Sequence, residues 1–204
     1  MTAGAATMSE AVGRTPVPVE EYEEKAFGFW LYLMSDAIIF SLLFATYVVM
    51  VGNTAGGPTG KELFSLNRAA GETALLLASS TTFGFASVEL ARENKSRVLL
   101  WLLVTAVLGA GFLFLEYREF SGMIAQAAGP DRSGFLSAFL TLVGTHGLHV
   151  SVGLLWILVM VGQVLVKGLP LPVASRLARL GLFWHFLDII WVAIFSVVYL
   201  PGLL

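Results

Sequence analysis

The residues of this chain best suited to chemistry are its three histidines and two of its aspartates, all set in apolar surroundings. His185 and Asp188 lie three positions apart, on one helical face, within Trp184-His185-Phe186-Leu187-Asp188-Ile189-Ile190-Trp191. His146 and His149 have the same spacing within Thr145-His146-Gly147-Leu148-His149-Val150, and Asp36 stands between Ser35 and Ala37 in an apolar run. Imidazoles and carboxylates so placed could ligate a metal, relay a proton, or hydrogen-bond between helices. The chain has no cysteine, which excludes disulfides, thiolate metal sites and cysteine nucleophiles.

Spacing argues against metal. The His-x-x-x-His or Glu-x-x-His repeats that build dinuclear sites in helical bundles do not occur. Counted from the inner ends of the expected spans, His149 lies about eighteen residues up the fourth and His185 only about eight up the fifth, so a shared site demands strong tilt. The expectation is no metal and no cofactor bound by this chain, and an interhelical polar network of His185, Asp188, His149, His146 and Glu72. Depth counting sets Asp36 beside His185 and Asp188, as a buried carboxylate with a candidate proton-linked role.

The elements that must position these groups are membrane helices. The chain is 57% hydrophobic and 13% charged, with a mean hydropathy of +0.81, against about 25% charged residues in soluble domains. Five stretches are long and apolar enough to span a bilayer, at 27–51, 66–90, 98–117, 135–166 and 177–200. The fold class is therefore an all-α membrane protein, a five-helix transmembrane bundle over 26–204 that follows a flexible cytoplasmic tail at 1–25. No cleavable leader pattern is present. An inside N-terminus places eight Lys and Arg residues in the cytoplasm and four outside, so the N-terminus is expected in the cytoplasm and the C-terminus in the periplasm.

Ala70, Ala74, Ala78, Thr82 and Ala86 form a small-residue stripe that should be the packing face of the second span, as should Ser137, Thr141, Thr145, His149 and Gly153 in the fourth. Trp30, Tyr32, Trp101, Trp184 and Tyr199 fall near span ends as interfacial anchors, and Trp30, Trp156 and Trp191 are candidates for contact with lipid or another subunit. Glu72, Glu116 and Glu119 should form solvated pairs with Arg68 and Arg118. The Gly-rich loop 53–61 fails as a phosphate loop, because position 55 is Ala and no strand precedes it. A net charge of −2 without a basic run leaves nucleic acid out as a partner.

Three motifs in order on three spans, Ser35-Asp36, Thr145-His146-Gly147-Leu148-His149-Val150 and Trp184 to Trp191, make the chain resemble subunit III of the haem-copper respiratory oxidases, from about Phe27 to the C-terminus. Its five-span length and its loops look most like the cytochrome o ubiquinol oxidase branch. The resemblance implies an accessory subunit without redox cofactors, with haems and copper in the partner catalytic subunit I, and subunits II and IV as further partners. It implies a phospholipid-holding interhelical cleft, a bacterial inner-membrane location, and a role in stabilising the catalytic subunit and supporting proton uptake. Asp36 stands where the family often has a glutamate. The alternatives are subunit III of a cytochrome c oxidase, or a stand-alone proton or ion transporter resting on Asp36 and the His185 and Asp188 pair.

Overall fold

In a computed structural model describing residues 19–203, every regular element is helical. Residues 1–18, most of the expected tail, lie outside the described residues. Helix α1 runs Val19–Met50, so it starts inside the stretch expected as tail. A short α2, Gly60–Leu63, is followed by α3, Leu66–Ala91, α4, Lys95–Ala125, α5, Gly134–Lys167, and α6, Leu171–Ile194. The chain then passes without a break through a π-helical turn, Phe195–Tyr199, into α7, Leu200–Gly202. Five of these helical segments are long and apolar enough to cross a membrane.

Local chemistry sets the ends. Asn94 caps α4 by accepting from Arg97 N–H at 3.3 Å, and Ser133 caps α5 by accepting from Leu136 N–H at 3.2 Å. Helix α5 stops at Gly168, whose φ of 74° is open to glycine at little cost. Pro172 then falls in the first turn of α6, where its missing N–H costs nothing. Two spans extend beyond their expected limits. Helix α4 continues to Ala125 because the acidic residues that seemed to end it, Glu116 and Glu119, point into the bundle. Helix α6 begins at Leu171, so Arg176 and Arg179 lie within its first turns.

Helices α3, α4, α5 and α6 pack in a ring, each against its two neighbours. Helix α1 lies outside this four-helix unit and packs mainly on α5 and, at fewer points, α6. The packed face of α3 is Ala69, Glu72, Leu76, Ser79, Phe83, Ala86 and Glu89, whereas Ala70, Ala74 and Ala78 of the expected stripe are exposed. A strict four-residue repeat drifts about 40° per step around a helix of 3.6 residues per turn, so it cannot follow one face for long. On α5, likewise, Ser137 and Thr141 are exposed, while Gly153 is buried.

The core centres on two tryptophans of α6. Trp184 is wedged between Gly109 and Gly153, either of whose missing Cβ would stand 2.9 Å from its ring, and its Nε1–H donates to Ser79 Oγ at 3.1 Å. Trp191 meets Phe112 edge-on at 4.6 Å and donates to Thr73 Oγ1 at 3.0 Å. Trp184, Trp191 and Tyr199 are thus buried, not anchors at the membrane edge, and Trp191 is not a lipid contact. Their indole and phenol groups have partners inside, so they need no interface. Trp30 is exposed, and Trp156 is half-buried against Phe183 and Phe29.

Candidate functional site

One turn of α5, His146 to His149, reaches three other helices. His146 Nε2 lies 3.2 Å from the Leu187 carbonyl of α6, so that nitrogen is the donor and Nδ1 is left bare and without a partner. Its ring packs edge-on to Phe112 of α4 and beside Trp191. Gly147 faces α4, where a Cβ would stand 2.5 Å from Glu116 Oε1. The glycine between the two histidines is therefore the space in which the Glu116 carboxyl sits. His149 faces α1, with Nε2 3.6 Å from Asp36 Oδ2.

The tautomer of His149 follows from its other nitrogen. Nδ1 is 2.7 Å from the Thr145 carbonyl and must donate to it. For Nε2 and Oδ2 to attract each other, a further proton must therefore reside on one of them. Asp36 is 6% exposed and its Oδ2 has no hydrogen-bond partner among the described residues, so the close approach to His149 is a polar contact between α1 and the ring.

His185 occupies a different seam. Its Nδ1 is 2.6 Å from Ser80 Oγ of α3 and 3.8 Å from Asp188 Oδ2. The imidazole is half exposed and lines an apolar groove of about 280 Å³ between α1 and α6, walled by Trp30, Leu33, Met34, Ala37, Phe186 and Ile189.

The five groups expected as one network are thus divided. Asp36 meets His149, and among the described residues no ion pair joins it to His185. The depths differ from those expected because α6 begins at Leu171 and because α1 and α5 are registered at their loop ends. Phe135 N–H donates to the Asn53 carbonyl at 3.1 Å, fixing the register of α1 against α5 at their loop ends. From the helix ends beside that contact, Met50 and Gly134, Asp36 and His149 lie roughly fourteen and fifteen residues down. With α6 starting at Leu171, His146 and His149 also stand level with Leu187 and Phe183. His149 and His185 share a depth but face different helices.

Glu72 of α3 and Glu116 and Glu119 of α4 are buried, not solvated: 0%, 4% and 2% exposed. Tyr199 O–H donates to Glu119 Oε2 at 3.1 Å, and neither oxygen of Glu72 or Glu116 has a partner. Their inward face carries a sequence signal of its own. Gly109, Phe112, Glu116, Glu119 and Met123 follow a spacing of three and four and form one buried face.

Among the described residues no group of three or more His, Asp and Glu is placed to hold an ion. Both nitrogens of His149, Nε2 of His146 and Nδ1 of His185 are already engaged.

An all-helical chain with five bilayer-length helices, whose histidines and carboxyls face seams between helices, is a multi-pass membrane protein. It belongs to the subunit III family of the haem-copper oxidases: the family described as cytochrome c oxidase subunit III matches residues 10–203. The chain is 53% identical over 178 residues to "Cytochrome bo(3) ubiquinol oxidase subunit 3" of Pseudomonas aeruginosa, covering 87% of this chain and 85% of that one. It is 40% identical over 195 residues to "Quinol oxidase subunit 3" of Bacillus subtilis, covering 94% and 96%. It is 43% identical over 183 residues to "Cytochrome c oxidase subunit 3" of Bacillus sp. (strain PS3), covering 90% and 88%.

Proposed function

We propose that this chain is the accessory third subunit of a bacterial proton-pumping ubiquinol oxidase, which couples quinol oxidation to reduction of oxygen to water. The observation that carries the quinol branch is the 53% identity to a relative named as a ubiquinol oxidase subunit. In this reading the chain sits in the inner membrane, N-terminus cytoplasmic and C-terminus periplasmic, as the distribution of Lys and Arg favours. It packs against the catalytic subunit I, with subunits II and IV in the same complex. Haems and copper belong to the catalytic subunit.

The chain's own residues contribute in two places. The apolar groove between α1 and α6 takes a phospholipid acyl chain, since its wall is apolar apart from His185. Asp36 and His149 hold a proton at mid-depth between α1 and α5, a position from which they support proton uptake by the neighbouring subunit. By clamping its own helices the chain stabilises the subunit it rests on.

The test is purification under mild detergent. Co-purification with haem-bearing chains and ubiquinol oxidase activity is expected. Recovery of a stable chain without haem-bearing partners would overturn the reading, and a complex that oxidises cytochrome c but not quinol would move it to the cytochrome c branch, to which the Bacillus sp. relative belongs by name.

A further inference from the structure

We propose that Glu72, Glu116, Glu119 and the Tyr199 hydroxyl form a proton-binding site inside the ring, separate from the Asp36 and His149 pair, which holds its protons on carboxyl oxygens and shares its remaining negative charge with Arg68. The three carboxyls project from α3 and α4 into a region that Tyr199 closes, and each is at least nine-tenths buried. Among the described residues both oxygens of Glu72 and both of Glu116 lack a hydrogen-bond partner, and Gly147 leaves the gap that Glu116 fills. A carboxylate out of water and without a counter-charge is neutralised rather than buried as an ion, and carboxylates sharing one site do not all ionise.

The facing charges can be enumerated helix by helix. From α3 comes Arg68, exposed and one turn before Glu72 on the same helix. From α4, Arg118 is turned away over the Phe114 ring. From α5, His146 presents a bare Nδ1 without positive charge, because its proton is on Nε2. From the π-helical turn, Tyr199 supplies one neutral donor, to Glu119. From α2, beside the Phe64 that packs on Tyr199, comes Lys61, exposed at the loop end. Among the described residues the three carboxyls thus outnumber the cations that face them, which leaves part of the site as neutral acid. Each proton taken up converts one carboxylate and one hydronium ion into one carboxylic acid and one water. The site lies beneath the loop end of the bundle, where Phe64 covers Tyr199 at 4.9 Å.

Infrared spectra of the purified complex, in water and in heavy water, test the assignment. Glu72→Gln and Glu116→Gln should each remove intensity from the deuterium-sensitive carbonyl stretch of protonated carboxylic acids, and Arg68→Gln should add one carboxyl's worth. An unchanged carbonyl region in all three variants overturns the proposal. So does carbonyl intensity that rises in the wild type on adding a chelator, which would mark the cluster as a metal site. Failure of both glutamine variants to accumulate also counts against it, since an amide is the neutral isostere of the acid it replaces. Arg68→Gln, at an exposed position, remains readable in that case. The proposal is indifferent to whether quinol or cytochrome c is the electron donor, so it can fail without the functional reading failing.

Discussion

His149 Nε2 and Asp36 Oδ2 stand 3.6 Å apart across the α1 and α5 seam, and this pair is what ties α1 to the four-helix ring by polar chemistry. Most of the span of α1 is exposed, so each contact on its packed face counts. Asp36→Ala removes the charged partner of the half-buried His149 imidazole, a loss of about 1–3 kcal/mol. Asp36→Asn keeps a polar partner and should cost under about 1 kcal/mol. Limited proteolysis in the loop 51–59 should be faster for Asp36→Ala and near wild type for Asp36→Asn. Equal rates for the two would remove the pair from its fastening role.

Gly147 and Glu116 are coupled by space. A methyl group at position 147 meets both carboxyl oxygens of Glu116, at 2.5 and 2.8 Å from the ideal Cβ. Gly147→Ala should destabilise the chain by about 1–3 kcal/mol through overpacking. Adding Glu116→Ala opens the same space, so the double variant should be less destabilised than the two single effects summed. Additive costs in a denaturation cycle would show that the contact is not the cause.

Trp184, with Trp191 one of the two largest side chains of the core, is seated where Gly109 and Gly153 let three helices approach. Trp184→Ala should cost about 3–5 kcal/mol as a core cavity. Ser79→Ala, which orphans the indole N–H, should cost about 1–3 kcal/mol. Unfolding by mixed detergent titration measures both, and the expected order is Trp184→Ala well below Ser79→Ala.

If the groove between α1 and α6 holds an acyl chain, filling it should expel lipid. Ala37→Phe places a ring in the groove beside Met34 and Phe186. The purified complex should then retain less phospholipid per haem than the wild type, with similar chain composition. Undiminished phospholipid with the groove filled would place the lipid elsewhere.

The apolar stretches were legible as five membrane helices because a bilayer demands about twenty apolar residues from any helix that crosses it. The motifs around Asp36, the α5 histidines and Trp184 to Trp191 were legible as a family signature for a related reason: ionisable groups in such stretches are rare enough to be distinctive. The ends of α4 and α6 were not legible by hydropathy. Glu116 and Glu119 read as the start of a polar surface, whereas they face inward and α4 runs on to Ala125.

Which polar group meets which was decided by tertiary structure alone. A sequence fixes the spacing of groups along one helix, so His185 and Asp188 could be paired from it, as could the common face of Gly109, Phe112 and Glu116. The pairing of Asp36 with His149 instead depends on the register between α1 and α5, set where Phe135 N–H meets the Asn53 carbonyl, and on the rotation that turns His149 toward α1 and Gly147 toward Glu116. A shift of a few residues in one helix's starting point moves every level on it by about 1.5 Å per residue. Hydropathy does not locate those starting points to better than a few residues, and the contacts across the loop end and the wedge of Trp184 between two glycines do.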